Sequence, residues 1–218
     1  MSRAGVPMRT VLFGEVSLRD WTGGAAADRE PWTSFARVRR ALQAGDDAAA
    51  VRVLRTIAGE RTLESRHHVV AWRALRGLGV LPDAAEATLV LGVVVEVGLP
   101  GGSDCVSGYA DGTARYLNQG GGSVVWDAPD ASLRPRIESL LAHAKEVAAR
   151  VGVWESALPP PPPNGEARVN VLTPGGLRFG QAPTDSLARD GTAGPVFSAA
   201  YALMVALVAL FEKRGRTP

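Results

Sequence analysis

Cys105 is the one thiol in the chain, and His67, His68 and His143 are the groups that could activate it. A thiolate–imidazole pair works only where the two side chains meet in space, and no local signature of such a site surrounds Cys105. Cysteine is also among the most often buried residues, so a small core hydrophobe is expected there. Glu64 and His67 have the Glu-x-x-His spacing of carboxylate-bridged di-metal centres, in which i and i+3 share a helix face. Such centres need a second copy and two further glutamates, whereas the chain carries one copy. The adjacent His67 and His68 diverge by about 100° on a helix. Surface or helix-interface histidines are therefore expected, with no metal.

Residues 98–108, GLPGGSDCVSG, are rich in glycine and come after an apolar run. A phosphate cradle would need a Gly-Lys-Ser/Thr ending and a helix N-terminus after it, but the residues beyond the glycines read as strand. The segment still supplies the candidate ligand-binding set Gly101, Gly102, Asp104 and Cys105, with Asp111 beyond it. Asp104 and Asp111 lack the spaced oxygens and terminal Glu of a calcium loop. Tyr109, Tyr116 and Trp126 could stack with single-stranded nucleic acid, yet Arg115 is the only basic residue nearby. Cross-strand packing is expected for them. No dinucleotide fingerprint or complete metal set is present, and no cofactor is expected.

The elements that must position these residues read as α+β. Residues 8–16 suit a short strand. Apolar residues at helical spacing predict three helices between residues 31 and 78, with Gly45 ending the first and Asp46 capping the second. The β-branched run 88–99 predicts a central strand buried on both faces. Asp111-Gly112 between alternating runs predicts a hairpin, and 123–127 a further strand. Ser132 is expected to cap a helix over 133–151. The polyproline run 159–163 predicts a semi-rigid surface connection. A second hairpin turns at Pro174-Gly175-Gly176, and a final helix runs from about 195 to 213. Together these give an N-terminal strand and helical module (1–80), then a sheet domain (81–218) of five to seven antiparallel strands. Two longer helices cover one side of that sheet, and the whole forms one compact unit.

The stretch ALQAGDDAAAVRVL, within 31–58, resembles a tetratricopeptide-type helical hairpin, in which a Gly-Asp turn precedes an alanine packed between helices. The resemblance covers one unit and implies a helical-hairpin shape only.

Charge and composition narrow the function classes. A net charge of +2 without a basic cluster gives no nucleic-acid footprint. One cysteine excludes an internal disulfide and fits a reducing compartment, so the cytoplasm is the expected location. Residues 1–14 carry Arg3 and Arg9 but no apolar run of leader length. The uncharged run 196–211 would span about 24 Å as a helix, short of a ~30 Å hydrocarbon core. It is expected as an all-round buried core helix. The leading reading is a non-enzymatic adaptor or regulatory protein that binds another protein. The alternative is a small-molecule or nucleotide-handling enzyme using residues 98–108, and the third a peripheral or tail-anchored membrane protein.

Overall fold

The computed structural model describes residues 7–215; Arg3 and the rest of 1–6 lie outside the described residues. At its centre is β1 (Gly92–Leu99), in which Val93 and Val95 point to one side and Val94 to the other, all buried. It pairs antiparallel with β2 (Gly102–Tyr109) and with β5 (Glu166–Thr173). With β3 (Ala114–Leu117), β4 (Ser123–Trp126) and β6 (Gly176–Pro183) this makes one six-stranded antiparallel sheet of order β4-β3-β2-β1-β5-β6. The fold is α+β, as expected.

Between the N-terminus and the sheet lie α1 (Met8–Leu12), α2 (Trp32–Gln43), α3 (Asp47–Gly59) and α4 (Ser65–Gly77). Gly45, at φ +72°, turns the chain after α2, and the Asp46 carboxylate accepts from the Ala49 N–H at 2.8 Å to cap α3. Helices α2, α3 and α4 pack in succession, giving the helical-hairpin shape. Residues 8–16 are not the strand expected. Arg9 sits one helical turn before Phe13, with its guanidinium 5.1 Å from the ring, and Leu12, Phe13 and Val16 all enter the core. That i, i+4 relation needs helical spacing.

Helix α5 (Arg134–Arg150) and helix α7 (Ala193–Gly215) lie side by side on the Val93/Val95 face, with the short α6 (Thr184–Arg189) before α7. Gly108 sits beneath both: a Cβ there would come within 3.0 Å of Leu140 and 3.1 Å of Leu203. Ser132 does not cap α5. Asp130 takes the Ser132 N–H and hydroxyl instead, and Leu133 stands at the N-cap without a side-chain bond. The second face is covered as well. Leu91, Val94, Cys105, Tyr109 and Leu172 pack against α1–α4, so the sheet is a middle layer and not one covered on a single side. Apolar residues on both faces of β1 require this.

The polyproline run passes over the end of β1. Pro162 is buried while Pro160, Pro161 and Pro163 are exposed, and a Cβ on Gly98 would lie 2.0 Å from the Pro163 carbonyl. The chain after α5 covers the β6 edge, where the Trp154 N–H donates to Leu177 O at 2.7 Å.

Candidate functional site

The strongest electrostatic feature sits on the inner face of the sheet. Glu96, fully buried in the middle of β1, takes Arg9 Nε at 2.6 Å and Nη2 at 3.2 Å. Arg168 Nη1 reaches it at 3.4 Å and the Asn170 amide at 3.2 Å. The two guanidiniums also hold the polyproline run, Arg9 donating to Pro159 O and Arg168 to Pro160 O, each at 2.8 Å. Arg168 Nε further donates to Gln181 at 2.7 Å. A carboxylate in the interior persists only with charged and hydrogen-bonded partners, and this cluster supplies them from α1, β5 and β6. Burial still pulls the Arg168 guanidinium below its ordinary value, against the pull of Glu96.

Cys105 lies beside this cluster, its Sγ 3.9 Å from Glu96 Oε1. Burial first, and then the Glu96 charge, push its thiol up to about 12. At neutral pH it stays protonated, which removes the nucleophile a thiol site needs.

The candidate ligand-binding residues do not converge. Residues 98–108 are not a loop: β1 and β2 stay paired to Leu99 and Gly102, leaving a two-residue turn in which Gly101 holds φ +87°. Pro-Gly suits a turn that needs a positive φ at its second central position. Gly102 begins β2. Asp104 and Cys105 then point to opposite faces, and Asp104 accepts the Tyr116 hydroxyl at 2.6 Å and the Gln119 N–H at 2.9 Å. Asp111 stands beyond the far end of β2, about 23 Å of strand from Asp104. It accepts from the Thr113 N–H at 2.9 Å and from the Ser65 N–H at 2.6 Å, so its carboxylate serves as the missing side-chain cap of α4. The aromatics divide similarly. Tyr109 faces α1 and donates to Leu12 O at 2.8 Å, while Tyr116 and Trp126 pack on the α5–α7 side.

Arg115 is a second buried cation, and it pairs with Asp127 and lies 4.0 Å from Glu64. Glu64 itself pairs with Arg66 and not with His67. Among the described residues no group of three or more His, Cys, Asp or Glu side chains could hold a metal ion.

His67 is buried among Trp21, Trp32 and Phe35, with ring centroids 6.0, 5.2 and 6.3 Å away. Burial pulls its imidazole down to about 4. The unfolded chain, with a value near 6.5, therefore binds the proton more readily between pH 4 and 6.5, and stability rises with pH across that window. The His67 contribution is complete above about pH 6.5 and falls by about 1.4 kcal/mol per pH unit, about 3 kcal/mol by pH 4. Urea midpoints of the parent and of His67→Phe at pH 7 and pH 4.5 read this directly. The variant should show the shallower pH dependence, and equal slopes would remove His67 as the cause.

The outermost layer shows what sequence periodicity missed. Leu203 and Leu207 of α7 are fully buried, as a core helix requires, but Tyr201, Val205 and Phe211 are 62%, 49% and 57% exposed. The helix is thus half-embedded and not buried all round. The helix has 23 residues, and its uncharged part, 193–211, spans about 28 Å, longer than the run 196–211 alone. The stretch Ala193–Lys213 is long and apolar enough to cross a membrane by length and composition alone, and 28% of its most apolar window is buried. No family model, curated protein or solved structure matches the chain.

Proposed function

We propose that the protein is a non-enzymatic interaction module that docks another protein on the outward face of α7. The observation that carries this reading is the exposed stripe of Tyr201, Val205 and Ala209 on a helix whose opposite face anchors the core through Leu203 and Leu207. On the flanking helix α5, Glu138, Lys145, Glu146 and Arg150 are exposed, and Arg150 bonds Thr192 just ahead of α7. An apolar centre with a charged rim is the anatomy of a protein-binding patch. Lipid would be a poorer match, because embedding α7 would bring Arg150 of α5, which bonds Thr192 at its start, towards the bilayer. The polar groups that could do chemistry are occupied elsewhere: Glu96 and the two arginines hold the layers together, and Asp104 and Asp111 secure turns.

The test is a photoreactive benzoylphenylalanine placed at position 205 in cells, with position 146 on α5 as a comparison. The expected product is a discrete protein adduct at 205. Lipid adducts alone, or no adduct, would overturn the reading.

A further inference from the structure

We propose that the cleft between the end of α4 and the segment 153–158 binds a small-molecule carboxylate with an apolar body, anchored on Arg76. None of the residues lining this cleft belongs to α7, so the site stands apart from the docking face.

The cleft has a volume of about 540 Å³, within the range of small-molecule sites. Its cationic side comes from α4, where Arg73 and Arg76 sit one turn apart. Arg73 is already engaged: it pairs with Glu15 at 2.9 Å and donates to Val16 O at 3.4 Å. Arg76 is different. It donates through Nη1 to Pro174 O, and no carboxylate among the described residues forms an ion pair with it. Its Nε and Nη2 have no partner among those residues and stay reachable from the cleft. Burial pulls this guanidinium below its ordinary value, and Glu15 opposes that from a distance. Arg168 experiences the same burial but has Glu96 in contact. A half-buried guanidinium without a carboxylate is costly, and an incoming anion offsets that cost.

The apolar side is built against the charge. A Cβ on Gly176 would lie 2.6 Å from Val153 Cγ1 and 3.9 Å from Arg76 Cζ, so this glycine lets wall and cation approach each other. Trp154 is held in place beside them. Its backbone N–H donates to Leu177 O at 2.7 Å, its indole N–H to Ala157 O at 2.9 Å, and its ring meets Phe179 at 5.1 Å. Leu81, 70% exposed, Val153 and Trp154 form an apolar rim, and a ligand body covering them removes that surface from water.

The remaining groups select a carboxylate over a phosphate. Glu15 and Glu155 also line the cleft, and Arg73 offsets the first. A doubly charged phosphate would face Glu155 with one available cation. The Gly175 and Gly176 N–H groups that could cradle it are taken by Ala87 O and Thr173 Oγ1. One guanidinium fork matches the two oxygens of a single carboxylate.

The experiment is calorimetric titration of the full chain at neutral pH with phenylacetate, hexanoate, phenylacetamide and inorganic phosphate. Saturable binding of at least one carboxylate is expected, with the uncharged amide about 10-fold weaker or more and no binding of phosphate. Arg76→Gln should weaken carboxylate binding by about 10- to 100-fold. That change also frees Pro174, so Leu81→Ala, at an exposed position, provides a second reading and should weaken phenylacetate about five-fold. In the parent chain, phenylacetate should move the Gly176 amide and Trp154 indole resonances and leave Val205 unchanged.

No saturable binding of either carboxylate at about 10 mM overturns the site. So do equal affinities for acid and amide, tighter binding of phosphate, resonance shifts confined elsewhere, or affinity unchanged by both substitutions.

Discussion

Glu96→Ala is expected to lower stability by about 3–5 kcal/mol, the range for breaking a buried ion pair from one side. The cost comes from what remains. Arg168, 3% exposed, would keep its charge and its bonds to Pro160 and Gln181 but lose the carboxylate it pairs with on β1. Arg9 would lose a bidentate contact that ties α1 to β1. Chemical denaturation of the purified variant measures the loss. Adding Arg168→Met and Arg9→Met to Glu96→Leu should recover more than half of it, since three apolar side chains leave no orphaned charge in the cluster. If Glu96→Ala melts like the parent, the cluster is not what joins the helical module to the sheet.

Leu207→Ala should cost about 2–5 kcal/mol, whereas Val205→Ala should stay within about 0.5 kcal/mol. The two residues are two positions apart on α7 and differ chiefly in what they face. Leu207 is enclosed in the core formed by α5, α7 and the Val93/Val95 side of the sheet, so truncation removes transfer energy and leaves a cavity. Val205, half exposed, leaves neither in the free chain. Denaturant midpoints of both variants, measured at a concentration where the chain is monomeric, separate the two faces. Equal small losses would mean that α7 does not complete the core, and equal large losses would mean that its outward face is covered within a single chain.

Features set by residues a few positions apart were legible in the amino-acid sequence. The Gly45–Asp46 stop and cap, the Asp111-Gly112 hairpin and the helical spacing of α2 to α5 all depend on local backbone preference and periodicity. The sheet of six strands arises from alternating and β-branched runs joined by turns. Capping at α5 was the local exception, because Asp130 competes with Ser132 for the same turn.

The candidate site was much less legible. Glu96 sits alone in a β-branched run, and an isolated acid in a buried strand is the one signal that could have drawn attention to it. Its partners lie 87 and 72 residues away, so only the packed layers bring them together. Asp111 likewise reads as a turn residue, and its second role at the start of α4 exists because a segment 46 residues away docks there.

Composition and periodicity by themselves determined the α+β class and the order of the main helices and strands, but not the type of the first element, where a strand was expected over 8–16 and α1 forms, nor α6. They also showed that 196–211 must be an apolar helix. Which half of that helix meets the sheet and which meets solvent was decided by tertiary structure alone. A helix apolar on every side has no polar face to announce its orientation, so its burial depends on how much neighbouring surface is available. The sheet and α5 cover Leu203 and Leu207, and no described residue reaches over Tyr201 and Val205 to bury them.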